Sequence, residues 1–261
     1  MIDLKGHAAL VTGSTHGVGR AIALALAQAG ANVVIHGLEA GPDADAVLDQ
    51  CRRCGVAASF VPMDLTGPTQ QVVADLFEAA LAAQEGIDIL VNNAGHFLDL
   101  PFEQMTLDRF EKTLRLNVTA PYFLTQAFAR HWIAHNVAGR VLLTGSINGR
   151  LAEPDSTAYD TSKGAVEMMV KTLCVALAPH NIRVNGLAPG LVRTHATAWL
   201  DQNLPVARWM EHHTPNGRVP DAQVCGPAAA FLVSDAAEHI HGHMLLVDGG
   251  MSAWQQPKPM T

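Results

Sequence analysis

The sequence predicts an α/β fold: a doubly wound parallel sheet of about seven strands with helices on both faces, a three-layer αβα arrangement. Two observations carry this. Short apolar runs alternate with longer Ala- and Leu-rich segments along the whole chain, as strand–helix–strand units with right-handed crossovers do. The short runs are also continuously apolar, as strands covered on both faces must be.

Residues 8–12 (AALVT) make the first expected strand, bounded by Gly6 and Gly13. Residues 18–29, rich in Ala and Leu and closed by Gly30, read as a helix with a glycine stop. A second strand follows at 32–36 (NVVIH), a helix at 43–54 and a third strand at 57–62. Pro68 opens a long helix to residue 84, since proline suits a first turn. Strand four, 87–91 (IDILV), runs into Asn92-Asn93-Ala94-Gly95. Two helices are expected at 107–116 and 120–135, and strand five at 140–144 enters Gly145-Ser146. Residues 156–179 form a helix, because Ala, Val, Met, Leu and Lys dominate it and Gly164 is its one internal breaker. Strand six, 183–187, leads to Pro189-Gly190. Residues 191–218 read as an irregular stretch with helical fragments and are expected to form a substrate lid. A helix at 222–234, a strand at 243–247 and the turn Asp248-Gly249-Gly250 follow. Residues 254–261, with two prolines, are expected to be a loose tail. No linker or repeat interrupts the pattern, so residues 1–261 are expected to form a single domain.

The 261 residues are 49% apolar and 16% charged, which provides a large core and argues against global disorder. The formal charge is −7 and Lys and Arg are scattered, leaving no footprint for nucleic acid or an acidic membrane. No apolar run approaches ~18 residues and the N-terminus lacks a signal-peptide layout, so a cytoplasmic protein is expected. Cys51-Arg52-Arg53-Cys54 ends a helical pattern instead of opening one after a strand, so it reads as packing and not as a redox site. His131 and His135 have helical spacing, but Trp132 stands where a zinc-protease glutamate would; with His239, His241 and His243 they suggest no metal.

The chemistry begins at Thr12-Gly13-Ser14-Thr15-His16-Gly17-Val18-Gly19, between the first strand and the first helix. Glycines there permit a tight turn and a close approach of backbone to a pyrophosphate, and the helix N-terminus offers it unpaired N–H groups. This is the phosphate-binding turn of a Rossmann-like fold. A second feature is Tyr159-Asp160-Thr161-Ser162-Lys163. A Tyr and a Lys four apart on a helix share a face. Tyrosine titrates near ~10, and lowering that by roughly 2–3 units takes about 3–4 kcal/mol, which one close ammonium can largely supply. Such a pair is a proton-transfer device.

With Asn117, Ser146 and Pro189-Gly190 in the same order, the chain closely resembles the short-chain dehydrogenase/reductase family over about residues 5–250. The resemblance implies an NAD(P)-dependent oxidoreductase that moves a hydride between a nicotinamide and a secondary alcohol or its ketone. Tyr159 would be the acid–base group, Lys163 would support its phenolate and hold the nicotinamide ribose, and Ser146 would bond the substrate oxygen. Asn117 would hold a water relaying protons from Lys163. For the cofactor, Gly13, Thr15, His16, Gly17, Val18 and Gly19 match the phosphate loop, and Gly37 and Leu38 the end of the second strand. Asp64 and Leu65 match the adenine contact, Asn92, Ala94 and Gly95 the ribose segment, and Pro189, Gly190, Val192 and Thr194 the carboxamide stretch. The family also implies a homo-oligomer, tetramer or dimer.

An acidic residue after the second strand reads a ribose hydroxyl, whereas Arg or Lys reads a 2′-phosphate. Here His36-Gly37-Leu38-Glu39 supplies no cation, so the reading leans to NAD; His16 keeps NADP possible. By proximity to the matched motifs, His96, Asn148, Arg150, Glu153, Leu191, His195 and Trp199 are expected to face the substrate. That polar set suits a polyol, sugar or small hydroxy acid, and Arg150 or His195 could pair with a carboxylate. The rival readings are an NADPH-dependent 3-oxoacyl-thioester reductase and a non-catalytic dinucleotide sensor.

Overall fold

The computed structural model describes residues 2–254. The strands are β1 (Ala8–Val11), β2 (Asn32–Gly37), β3 (Ala58–Pro62), β4 (Ile87–Asn92), β5 (Arg140–Thr144), β6 (Arg183–Pro189) and β7 (Met244–Val247). The principal helices are α1 (Gly17–Gln28), α2 (Pro42–Arg53), α3 (Thr69–Ala83), α4 (Leu107–Leu114), α5 (Ala120–His135), α6 (Thr157–Leu177), α7 (Leu204–His213) and α8 (Cys225–Val233). All strand pairs are parallel, in the order β3-β2-β1-β4-β5-β6-β7. The order reverses at β1, so a crevice opens between the carboxyl ends of β1 and β4, where open α/β sheets bind ligands.

Alternation along the strands divides the core in two. Ala9, Val11, Val33 and Ile35 pack with α1, α2 and α8 on one face. Ala8, Leu10 and Val34 pack with α3, α5 and α6 on the other. Successive residues of one strand therefore reach opposite layers, which is why the runs read as unbroken apolar sequence. Trp132 anchors the second face, buried and donating from Nε1 to Ile87 O at 2.7 Å.

Several elements differ from expectation. The helices expected at 107–116 and 120–135 are joined by a π-helical turn, Arg115–Thr119, with no break. The chain at 191–218 is more regular than its sequence suggests: 3₁₀ turns span His195–Gln202, and α7 follows, opened by Asn203 accepting from Val206 N. β6 runs on to Pro189 because Ala188 and Pro189 pair with Leu246 and Val247. Of the expected tail, residues 255–261 lie outside the described residues, and Trp254 donates from its indole to His213 O at 3.0 Å. No helix among the described residues is long and apolar enough to cross a membrane.

Candidate active site

The glycine loop leaves β1 and is braced from three sides. Thr12 Oγ1 accepts from Asn93 N and Ala94 N at 2.9 and 3.0 Å, tying the ends of β1 and β4 together. Asn93 Nδ2 donates back to Thr12 O and Gly13 O. From β2, His36 Nδ1 accepts from Gly13 N at 3.0 Å, while His36 N donates to Ser14 Oγ at 2.9 Å. Burial pushes His36 down to about 4, so the ring is neutral at pH 7 and can accept. Thr12, Ser14, His36 and Asn93 lie within or beside the sequence motifs, but the sequence pattern assigns none of them this bracing role.

The cradle leaves no room for side chains. At Gly13 (φ +60°) a Cβ would lie 2.9 Å from Ala94 Cα, and at Gly19 it would lie 2.1 Å from Gly13 O. His16 stands at the helix N-cap without a side-chain cap bond, and the first turn of α1 holds no acidic residue. The N-terminal N–H groups are thus left to an anion. That geometry fits a dinucleotide pyrophosphate. Thr15 packs on Gly37, and Thr194 approaches Gly17, so the expected phosphate, ribose and carboxamide residues border one crevice. Val192 is buried and Gly190 packs on Asp248. Leu38 is 72% exposed at the end of β2.

Two expected contacts are otherwise engaged. Asn92 Nδ2 donates to Thr125 Oγ1 in α5, which fastens β4 to that helix. Asp64 accepts from Thr66 N at 2.8 Å, and that bond holds its carboxyl below the ordinary value; Leu65 is buried behind it.

On the other side of the crevice, α6 presents Tyr159 and Lys163, and the end of β5 presents Ser146. Ser146 stands near enough to Tyr159 to oppose in part the upward shift that burial imposes on the phenol, and its Oγ accepts from Asn148 N at 3.1 Å. Lys163 is 6% exposed; its Nζ donates to Thr144 O at 2.8 Å and lies 5.4 Å from the Tyr159 ring centroid. The electrostatics add a cost that the Tyr–Lys spacing does not show. Burial pushes Tyr159 up to about 12, against the effect of Ser146, and the Asp160 and Glu153 charges push the same way as burial. Burial also brings Lys163 down to about 8. Lys163 is buried and Tyr159 half-buried, so the pair carries its own desolvation penalty, and a second positive charge must offset it before the phenolate forms at neutral pH.

Asn117 sits in the π-turn, a feature frequent at functional sites. Its Oδ1 accepts from His96 N at 2.7 Å, and its Nδ2 donates to His96 O and to Ser162 Oγ, both at 2.9 Å. The side chain of Asn117 is therefore committed to the loop after Gly95 and to Ser162. Of the expected substrate residues, His96 follows that loop, and burial holds its imidazole below the ordinary value. Asn148 donates to Asp160 Oδ1 at 2.8 Å. Arg150 is turned away, with Nε 2.9 Å from Glu167 Oε1, so the expected carboxylate clamp is already in an ion pair. Phe97, absent from the expected set, packs edge-on against Tyr159 at 5.0 Å. Trp199 is 46% exposed in the 3₁₀ segment, and His195 meets His16 edge-on at 5.4 Å, on the cofactor side.

Among the described residues no three His, Cys, Asp or Glu side chains converge as metal ligands would. His135 donates to His131 O, and the CxxC pair is split between a buried Cys51, pushed up to about 11, and an exposed Cys54.

A family model described as enoyl-(acyl carrier protein) reductase matches residues 13–252. The chain is 35% identical over 251 residues to an L-rhamnose 1-dehydrogenase (NADP(+)) of Thermoplasma acidophilum, covering 96% of this chain and 98% of that one. It is 36% identical over 251 residues to a 3-oxoacyl-[acyl-carrier-protein] reductase of Aquifex aeolicus, covering 96% and 99%. A solved gluconate 5-dehydrogenase of Burkholderia cenocepacia J2315, in complex with NADP and tartrate, superimposes with a TM-score of 0.90 at 33% identity, covering 97% and 98%.

Proposed function

The chain belongs to the short-chain dehydrogenase/reductase family, and from that premise we propose that it interconverts a secondary hydroxyl of a small sugar or polyol and the corresponding ketone or lactone with a nicotinamide dinucleotide. One observation carries the reading: a buried Lys163 amine 5.4 Å from the Tyr159 ring, with Ser146 beside that phenol, across the crevice from a cradle that only glycine can line. When bound, the nicotinamide supplies hydride chemistry. Gly13, Thr15, His16, Gly17, Val18 and Gly19 hold the pyrophosphate, and Ala94, Gly95, Asp64 and Leu65 border the adenosine. Pro189, Gly190, Val192 and Thr194 border the carboxamide, and Lys163 reaches the ribose. Ser146 donates to the substrate oxygen and stabilises charge developing there. In oxidation Tyr159 takes the hydroxyl proton; in reduction it returns one. Lys163 favours the phenolate, and Asn117 keeps the His96 loop in register with Ser162 and the start of α6.

NAD is the cofactor this chain's own residues favour: Gly37 ends β2, Leu38 and Glu39 follow it, and no Arg or Lys occurs between Arg20 and Arg52. A 2′-phosphate of about −2 charge beside Glu39 would be repelled. Titrating both reduced cofactors by fluorescence tests this, and tighter NADPH binding would reverse it. Residues 191–218 act as the lid of a single-domain, cytoplasmic protein. Exposed Tyr122, Phe123 and Ile133 on α5, with Met168 and Val175 on α6, support a homo-oligomer, tetramer or dimer.

The test of the catalytic assignment is Tyr159→Phe. Turnover falls at least ~10²-fold, the scale of lost acid–base catalysis, while dinucleotide affinity stays within several-fold. Unchanged turnover rejects it. The Aquifex relative favours a second reading, reduction of a 3-oxoacyl thioester; preferential turnover of such a thioester with NADPH would select it.

A further inference from the structure

The serine of the site sits on a loop that α6 itself straps down. Ser146 Oγ caps a short 3₁₀ turn, Ile147–Gly149, by accepting from Asn148 N at 3.1 Å. That bond takes an acceptor position on the oxygen and leaves the hydroxyl hydrogen to point elsewhere. A serine capped in this way is set to donate, which is what a substrate oxygen gaining charge requires.

Three attachments fasten the loop to one face of α6, at residues 160, 163 and 167, which helical spacing places above one another. Asp160 Oδ1 accepts from Asn148 Nδ2 at 2.8 Å, and its Oδ2 accepts from Glu153 N at 2.9 Å. A Cβ on Gly149 would lie 2.9 Å from Lys163 O, so the turn rests directly on the helix backbone. Arg150 Nε donates to both Glu167 oxygens, at 2.9 and 3.0 Å. Asp160 reaches the serine most directly. It adjoins Tyr159 in the chain, and its partner Asn148, whose buried amide needs an acceptor, is the residue whose N–H caps Ser146.

Two simpler roles leave this arrangement unexplained. A carboxylate in the first turn of α6 suits the helix dipole, but a side chain turned to solvent would serve equally. The charge does not serve the base either, since Asp160 opposes ionisation of the Tyr159 phenol. What the carboxylate does beside that phenol is hold the Ser146 loop by two hydrogen bonds.

Resting on the oxidoreductase reading above, we infer that Asp160 is a positioning residue: through Asn148 and Glu153 N it locks the Ser146 loop to α6, so that the Ser146 hydroxyl and the Tyr159 phenol meet one substrate oxygen together. Ser146 and Tyr159 touch the substrate; Asp160 acts through them.

Asp160→Asn and Asp160→Ala remove the same charge but differ in hydrogen bonding. Once the Asn148 amide flips, Asn keeps both bonds, whereas Ala keeps neither. The assay is kcat at saturating dinucleotide on the best substrate among D-glucose, L-rhamnose, D-glucitol, D-gluconate and, in reduction, 5-keto-D-gluconate. Asp160→Ala is expected to lower kcat at least ~10-fold, as small misplacements of a catalytic group do. Asp160→Asn is expected to return it to within ~3-fold of wild type, with dinucleotide affinity by fluorescence within ~3-fold in both variants. In a Ser146→Ala background, assayed at high enzyme concentration, Asp160→Ala is expected to cost less than ~2-fold more, because the residue it positions is gone. Asn148→Ala cuts the same strap from its other end and is expected to lose kcat in the same Ser146-dependent way, which keeps the comparison should Asp160→Ala not fold. Equal losses in Asp160→Asn and Asp160→Ala, or a loss that persists undiminished without Ser146, overturn this inference and leave the oxidoreductase reading standing. No turnover of any of the five compounds by the wild type with either dinucleotide defeats the sugar reading itself, and this inference with it.

Discussion

Replacing Lys163 with Met probes how a half-buried tyrosine beside a buried lysine becomes a base. Burial pushes Tyr159 up to about 12, so at pH 8 the phenolate would be only about one part in 10⁴. Half-ionisation there requires roughly 5–6 kcal/mol favouring the charged form, at 1.36 kcal/mol per unit. The Lys163 ammonium, 5.4 Å from the ring centroid, contributes roughly 3 kcal/mol at an effective dielectric of ~20. The remaining ~2–3 kcal/mol falls to the positive charge of an oxidised nicotinamide ring. Lys163 is itself brought down to about 8 by burial, so the two groups titrate together and kinetics report values of the pair. Oxidation needs the phenolate, hence kcat rises with pH as the pair loses its first proton. Without the ammonium the apparent pKa climbs by ~2 units, kcat at pH 8 drops ~10²-fold, and part of the loss returns near pH 10. The assay is kcat for sugar oxidation from pH 6 to 10.5 at saturating cofactor. A Lys163→Met profile of unmoved midpoint, merely scaled down, would refute the electrostatic role.

The same substitution should stabilise the fold. Lys163 titrates at about 8 when folded, down from 10.5, so the unfolded chain binds more protons between those values and wild-type stability rises with pH across them. At pH 7 the penalty is complete, about 3 kcal/mol, less ~1 for the bond to Thr144, so Lys163→Met gains ~2 kcal/mol in denaturant unfolding and loses that advantage by pH 10.5; a destabilised variant at pH 7 contradicts this. His36→Leu leaves the Gly13 N–H without an acceptor, a loss of ~1–3 kcal/mol that should weaken dinucleotide binding about tenfold or more with kcat preserved. His36→Asn retains an acceptor and should recover most of the affinity, and equal damage by both variants would assign His36 to packing alone. Gly19→Ala, whose Cβ would sit 2.1 Å from Gly13 O, should abolish measurable cofactor binding in a chain that still folds; near-normal affinity by fluorescence would contradict the cradle.

The strands were legible because parallel strands buried on both faces leave unbroken apolar text, and Gly13 and Gly30 mark the adjoining turns. Tyr159 and Lys163 stood out as a pair four apart on one helix face, whereas Ser146 stood out only through the family resemblance. What stayed hidden depends on register between distant segments. His36 braces the glycine loop only because β2 pairs with β1 in one register. The bonds from Asn117 to His96 and Ser162 cross 21 and 45 residues. The π-turn at Arg115–Thr119 adds one residue to a helical period that looks interrupted in sequence. The Tyr159 shift is a property of enclosure, and no spacing of Tyr and Lys reveals it. In α7, the signal was present in Asn203-Leu204-Pro205, a cap followed by a first-turn proline.

The central claim is that Tyr159, seated between Ser146 and Lys163, draws a proton from a sugar hydroxyl as its carbon hydride passes to a nicotinamide. Perdeuterated D-glucose or L-rhamnose incubated with the protein and oxidised dinucleotide reports this directly by NMR of the reduced cofactor. Deuterium is expected on one face of nicotinamide C4, at one equivalent per sugar oxidised, and absent with Tyr159→Phe over the same period. Reduced cofactor bearing only solvent hydrogen at C4, or label transferred equally well by Tyr159→Phe, would contradict it.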